Sequence, residues 1–308
     1  MADLKQPSYN IYFDCRDLDG ALACLNVYGY CVIRKMISLE LVDELTASIE
    51  AHLDPDRDLA PASNRYHMTF AEVSRPLWKL VEHVPYRHYL HKVHGTTDLC
   101  LHRTAAILRT AGEPMGTWHT DDRSHVVVPQ VANDVLNRYG MPNGSWFYLN
   151  GSHPDRGGLA VIERSHLPDW TGPKGFALTA DGNSFHREGD LHKAGYRKMD
   201  VPGCIALIAE PQDLIVFAVR TFHTNMATHQ RRHSFGTVFR PRSIRVEAPW
   251  PLPESAQKIA AWLPAQLRPY TEGYPSFDGN WRGPGEGGGT QKRRRFTTED
   301  AEERREEG

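Results

Sequence analysis

Residues 117–125 read TWHTDDRSH, which sets His119 and Asp121 one residue apart. In an extended chain, residues i and i+2 point to the same side. An imidazole nitrogen and a carboxylate oxygen could therefore converge here on one metal ion. That N/O ligand mixture suits Fe(II), manganese or zinc better than calcium or magnesium. An H-x-D pair alone is a weak signal, because the same pattern arises on any solvated turn. A second copy shows this: GSHPDRGG holds His153 and Asp155, but the Pro, Gly, Ser and Asp around them make a turn, where two side chains need not share a face.

The distal half of the chain strengthens the first pair. QDLIVFAVRTFHTN reads as a strand that delivers His223 at its end. A third ligand from a distant strand completes the two-histidine, one-carboxylate set of a facial triad. Arg232 follows in RRHSFGTVF, at the start of the next strand. A guanidinium close to such a metal can clamp a carboxylate through two parallel hydrogen bonds. His229 and His233 compete with His223, and Arg231 competes with Arg232. Taken alone, His223 reads better as a satisfied core or rim histidine than as a ligand. Alternation from residue 232 puts Arg232 and Ser234 on one face and His233 and Phe235 on the other; the period does not say which face is inward.

These residues need a frame to hold them. RDLDGALACLNVYG places Leu18, Leu22 and Leu25 at helical spacing and stops at Gly29. GYCVIRKMI is short, β-rich and apolar, a predicted strand. SLELVDELTASIEAHL predicts a helix capped by Ser38, with Leu41, Leu45, Ile49 and Leu53 on one face. A weaker helical stretch covers 71–94, with Pro76 and Pro85 interrupting it. From about residue 99 the period changes. LCLHRTAAILRT, GSWFYLN, GLAVIE, CIALIAE, DLIVFAV and SFGTVFR are short apolar or alternating runs punctuated by Gly, Pro, Asn and Asp, which predicts a β sandwich or barrel. Two long inserts, RSHVVVPQVANDVLNRYGMPN and residues 167–202, interrupt the series and are expected to wall a binding pocket.

Composition excludes several classes. The chain of 308 residues is 40% hydrophobic and 24% charged with a net charge of −2, so neither nucleic acid nor an anionic membrane is indicated as partner. No run is long and apolar enough for a membrane span, and no secretory signal opens the chain. The five cysteines, Cys15, Cys24, Cys31, Cys100 and Cys204, are odd in number and form no C-x-x-C, which argues for free thiols in a reducing cytoplasm. The domain reading is one unit over 1–283: a helical part to about 95, a β core over about 96–245 and an extension over 246–283. Residues 284–308 are Gly-rich, then basic, then acidic, and are expected to be a flexible tail.

Together, H-T-D, a long spacer, a strand ending in histidine and a following arginine resemble the phytanoyl-CoA dioxygenase family of Fe(II)/2-oxoglutarate oxygenases. NVYGYCVIRKMISLELVDEL is similar to that family's N-terminal strand and helix. DRGGLAVIERSH is similar to its strand ending in a Gly-Ser-His type motif, with Arg164 where Gly is usual. The resemblance spans roughly residues 15 to 245 and rests on the order of the motifs, none of which is decisive alone. It implies a mainly β protein, a double-stranded β-helix (a cupin-like jelly roll) backed by N-terminal helices. It also implies that His119, Asp121 and His223 bind Fe(II) and that Arg232 takes the far carboxylate of 2-oxoglutarate. Asn225 falls where the family places a small polar cosubstrate contact, and Trp146 where a side chain lines the pocket; as a turn residue and a core aromatic they read equally well.

The implied chemistry uses Fe(II), 2-oxoglutarate and O2 to hydroxylate an unactivated C–H of a small molecule, releasing succinate and CO2. With no basic run near the core to hold a CoA phosphate, a small metabolite is expected rather than an acyl-CoA, and no protein partner is evident. A zinc or manganese hydrolase or isomerase could use the same three ligands, and a non-catalytic ligand-binding member is a third reading.

Overall fold

The N-terminal helices form where the apolar spacing predicts them. In the computed structural model, which describes residues 7–67, 69–121, 142–191, 195–242 and 259–272, α1 runs Leu18–Tyr28. The Asp17 side chain caps it by accepting from the Gly20 N–H, and Gly29 ends it at φ +90. Glycine is required at this end twice over, since a Cβ there would lie 2.5 Å from His166 Nδ1. Helix α2, Leu39–Leu53, is capped by Ser38 as expected and buries Val42, Leu45, Ile49 and Leu53. Each of those side chains contributes roughly 1.5–3 kcal/mol.

Pro76 and Pro85 mark interruptions of the stretch 71–94 from the start of a helix and not from its interior. Each lies in the first turn of its own helix, α3 (Arg75–Glu82) and α4 (Val84–His94). A proline there loses no intrahelical bond, because the first N–H groups of a helix have no internal partner. The single stretch read from sequence is therefore two helices that meet at His83.

In chain order the strands are β1 (Tyr12–Asp14), β2 (Tyr30–Arg34), β3 (Asn64–His67), β4 (Leu99–Arg109), β5 (Pro142–Tyr148), β6 (Leu159–Ile162), β7 (Phe176–Leu178), β8 (Phe185–Arg187), β9 (Cys204–Ala206), β10 (Leu214–Ala218), β11 (His223–Asn225) and β12 (Arg232–Pro241). Seven of them form a large sheet in the order β1-β2-β10-β5-β12-β4-β3, antiparallel apart from β1 with β2. β11, β6 and β9 form a small antiparallel sheet, and β7 with β8 a hairpin. The helices cover one face of the large sheet: α1 touches β2 and β10, α2 touches β4, and α4 touches β12. β10 is apolar at every position and buried throughout, as expected for a strand covered on both faces.

Two segments depart from the sequence reading. QDLIVFAVRTFHTN is not one strand: β10 ends at Ala218 in the large sheet, the chain turns, and His223 opens β11 in the small sheet. The apolar run stops at Val219 and Arg220 and Thr221 mark the break, but β11 reads only His-Thr-Asn, too short for periodicity to reveal the change of sheet. His119 and Asp121 lie outside any regular strand; residue 119 makes only an isolated antiparallel bridge to His223.

The second insert folds back as the β7–β8 hairpin onto a separate apolar core made by Trp118, Phe176, Phe185 and Phe222. The first insert lies almost wholly outside the described residues, as does the charged tail over 284–308. Within the C-terminal extension, Ile259, Leu263 and Leu267 are buried in the main core. Arg164 occupies the left-handed region at φ +60, the conformation that favours the glycine usual at this point of the family motif, and its guanidinium lies 5.4 Å from the centre of the Tyr28 ring.

Candidate metal and cosubstrate site

A two-residue β-bridge builds the candidate metal cluster. The His119 N–H donates to the His223 carbonyl at 3.0 Å, and the His223 N–H donates back at 2.8 Å. Residues directly opposite in an antiparallel pair carry their side chains on the same face. The imidazoles accordingly lie together, with ring centres 4.3 Å apart. The neighbours of His119 show the alternation. Trp118 is buried in the second core, and the Thr120 hydroxyl donates to the Val219 carbonyl at 3.1 Å. His119 and Asp121 face the other way.

One ligand atom from each of His119, Asp121 and His223 lies within 4.8 Å of the others. Asp121 carboxylate oxygens are 3.8 Å from His119 Nε2 and 3.9 Å from His223 Nε2. Each imidazole uses Nδ1 on the carbonyl two residues before it, Thr117 for His119 at 2.8 Å and Thr221 for His223 at 3.0 Å. That contact makes Nδ1 the protonated nitrogen and leaves Nε2 with its lone pair toward Asp121, the arrangement metal-ligating histidines use. Burial, then the nearby His119, pull the His223 pKa down to about 4 against the opposing pull of Asp121. His223 is thus neutral at neutral pH, as a ligand must be.

The cluster opens on a cavity of about 440 Å³ between the large sheet and the bridge, ample for a cosubstrate and a small molecule. Its wall includes Ala105, Ile107 and Arg109 from β4, Trp146 from β5, Asn225 from β11 and Gly236 from β12. Trp146 lies flat against Gly236, whose missing Cβ would fall 2.6 Å from the indole ring. No described residue of the second insert stands in this wall, contrary to expectation; the large sheet supplies most of it.

The question of which face of β12 points inward is answered by its partners. Thr237 bonds Tyr86 of α4 and His233 bonds Glu50 of α2, so the odd positions face the helices. Arg232 faces the other way and is fully buried. Its Nη2 donates to Asn225 Oδ1 at 2.9 Å and its Nη1 to the Gly158 carbonyl at 3.4 Å, and the guanidinium carbon lies 5.1 Å from the Tyr148 ring centre. Among the described residues no carboxylate lies within 4.0 Å of it, and its Nε has no acceptor. Burial pulls its pKa down to about 10, so it is still a cation at neutral pH.

Arg231 is spent elsewhere, on Glu50 and Asp54 at 2.5 Å each. His153 and Asp155 lie on a turn at 3.6 Å from each other and outside the metal-ligating cluster. His233 is bound to Glu50, which removes it as a competitor for the third ligand position. Asn225 stands at the cavity wall, where its Oδ1 accepts from both Arg232 and the Tyr148 hydroxyl. A guanidinium only donates, which orients the amide and leaves Nδ2 as the group free to turn toward a ligand.

The sequence reading missed Tyr148 and Arg109. The signal for Arg109 is an arginine at the end of the alternating set Ala105, Ile107, Arg109, on the face that is otherwise apolar.

No protein-family model and no curated protein sequence matches this chain. Solved structures do. The epimerase SnoN in complex with Fe3+, α-ketoglutarate and nogalamycin RO matches at 17% identity with a TM-score of 0.51, over 73% of this chain and 84% of that one. HygX from Streptomyces hygroscopicus with nickel and 2-oxoglutarate bound gives 14%, 0.54, 72% and 86%. EctD from S. alaskensis in its apoform gives 17%, 0.53, 80% and 87%. The fold is a double-stranded β-helix. At these identities the likeness speaks for the architecture, and the chemistry must be argued from the site.

Proposed function

We propose that this protein is an Fe(II)/2-oxoglutarate-dependent oxygenase of the phytanoyl-CoA dioxygenase type, acting on a small-molecule metabolite in the cytoplasm. One observation carries the reading: the His119–Asp121–His223 cluster and the approach to an unneutralised buried arginine, Arg232, open on one cavity. The donor set fits the metal. Two imidazoles and one carboxylate are a donor set that suits Fe(II) and would leave positions for other ligands. The buried guanidinium fits the cosubstrate, because a cation without a counter-charge in a dry site favours an anion.

Bound iron and 2-oxoglutarate would supply O2 activation coupled to decarboxylation, with succinate and CO2 as co-products. The chain's own residues do the rest. His119, Asp121 and His223 would hold the metal at the cavity wall, which all three residues line. Arg232 and Asn225 set the depth and orientation of the cosubstrate. Trp146, Ile107 and Ala105 supply a dry, apolar wall against which a substrate C–H can rest. Asp121 would take a coordination position and adds negative charge, which would disfavour a halide there and favour oxygen insertion over halogenation. The apolar wall and the absence of a dense basic patch among its described residues favour a compact metabolite over a CoA ester.

Hydroxylation is the simplest outcome. The epimerase neighbour shows that the same scaffold supports others, and substrate placement decides between them. The test combines metal content, substrate-free conversion of 2-oxoglutarate to succinate, and product mass under labelled oxygen gas with excess chloride. Wild-type protein is expected to hold one iron and form succinate. His119→Ala and His223→Ala are expected to lose both while staying folded. Succinate formation that survives either change would refute the triad, and tight zinc or manganese binding without 2-oxoglutarate turnover would favour a non-oxidative enzyme. A chlorinated product would mean that Asp121 does not ligate the metal.

A further inference from the structure

Arg109 and Arg232 stand directly opposite each other on β4 and β12, both on the inward face of the large sheet. Like charges at opposed positions repel, and repulsion grows where water is excluded. Both residues are at least nine-tenths buried, at 6% and 0% exposure. Among the described residues, neither Nε–H has an acceptor. Arg109 donates from Nη2 to the Tyr66 hydroxyl at 3.0 Å, and its Nη1 lies 3.6 Å from Glu113 Oε1, beyond hydrogen-bond distance. Glu113 is itself held by the Asn64 amide. Two guanidinium groups thus share one loosely placed carboxylate, leaving one positive charge over. Arg109, Tyr66 and Asn225 form the cavity wall at this end, and Arg232 reaches it through Asn225.

We propose that Arg109 is the second arm of a two-arginine cradle that holds the distal carboxylate of the cosubstrate together with Arg232. This rests on the function proposed above and adds a residue to it. A single carboxylate has two oxygens and can accept from both guanidinium groups at once. It would also cancel the excess charge and relieve the repulsion across the two strands. Arg109 is a binding and positioning residue here, and the two orphaned Nε–H groups are the donors left over for the ligand.

The test measures ligand affinity without turnover. Protein loaded with Mn(II) is titrated with 2-oxoglutarate and, separately, with 2-oxobutyrate, which keeps the metal-chelating end and lacks the distal carboxylate. Arg109→Met is expected to weaken 2-oxoglutarate binding about tenfold to a hundredfold and to leave 2-oxobutyrate binding within about twofold of wild type. The melting-temperature rise that saturating 2-oxoglutarate gives to wild type should shrink in parallel. Arg109→Lys keeps the charge, loses the fork and should fall between the two; it decides the matter should the methionine variant fail to fold.

Unchanged 2-oxoglutarate affinity in Arg109→Met, with affinity lost in Arg232→Met, would overturn the cradle and leave the proposed function standing. An equal loss for both 2-oxo acids would also overturn it, since it would place Arg109 at the metal end or in the substrate's part of the cavity. Absence of 2-oxoglutarate binding in metal-loaded wild type would overturn the proposed function itself, and the cradle with it.

Discussion

Three consecutive residues at the start of β12 enter two polar clusters on opposite faces of one sheet, and the clusters differ in how their charge is met. On the helix side Arg231 holds Glu50 and Asp54 at 2.5 Å each, while His233 bonds Glu50 at 2.6 Å and Asn150 at 3.0 Å. Every charged group there has a partner within the protein. On the cavity side, among the described residues, Arg232 and Arg109 face one distant carboxylate, Glu113, and keep unpartnered Nε–H groups. A satisfied buried network ties α2 to the sheet. An unsatisfied one makes physical sense where a ligand completes it, because an uncompensated buried charge is otherwise expensive. Neighbouring arginines of identical chemistry thereby acquire unrelated tasks.

That contrast can be broken by exchanging the losses. Arg232→Met is expected to weaken 2-oxoglutarate binding by roughly 2–3 kcal/mol, about thirtyfold to a hundred-and-fiftyfold, with little change in melting temperature. Arg231→Met should do the reverse: affinity unchanged, stability lower by about 2 kcal/mol because Glu50 and the buried Asp54 lose their closest cation, Asp54 keeping Arg65 at 3.2 Å, discounted for the partial exposure of Arg231. For a chain of this size that is roughly a 4–8 °C fall in melting temperature. A reversed pattern in calorimetry and thermal melts would exchange the tasks of the two residues.

Acid titration sharpens the same contrast. The Arg231 hydrogen bond lowers the Glu50 pKa, with burial opposing it. For Asp54, burial acts to raise the pKa, but the bonds from Arg231 and from backbone groups outweigh it and the net shift is down. A depressed carboxylate contributes stability that is present above its unfolded pKa of about 4 and is lost as pH falls through the folded value. Burial also lowers His233, whose contribution is present above about pH 6.5 and fades below it. Wild-type stability should therefore fall in acid, and below about pH 4.5 the Arg231→Met curve should be flatter. Parallel curves there would show that Arg231 does not depress these carboxylates. The smallest effect is expected for Tyr148→Phe, which removes one donor to Asn225 Oδ1 and keeps the ring beneath Arg232. Cosubstrate affinity should weaken by about 0.5–1.5 kcal/mol, and no change would mean that Arg232 alone orients Asn225.

Much of this was legible in one dimension. Apolar spacing and caps marked α1 and α2, because a helix carries its own period and its own end signals. H-T-D and the distal histidine named the three residues whose ligand atoms the fold brings together, since a mixed imidazole and carboxylate set tolerates few residue types. Local composition told the turn at His153 apart from the metal-ligating segment, as Pro and Gly act over a few residues only. It placed the interruptions of residues 71–94 at Pro76 and Pro85 but not that each proline opens a helix, since the same residue type either ends a helix or begins one.

What the sequence by itself determined is the set of reactive groups and the local elements that carry them, because propensity, capping and alternation act between neighbours in the chain. Only the tertiary structure decided that His223 opens a strand of the small sheet, that Arg232 rather than Arg231 faces the cavity, and that Arg109 stands across from it. The sheet an apolar strand joins, the face that is inward and the strand that lies alongside all depend on contacts between segments about a hundred residues apart, and period-2 alternation is indifferent to each of them.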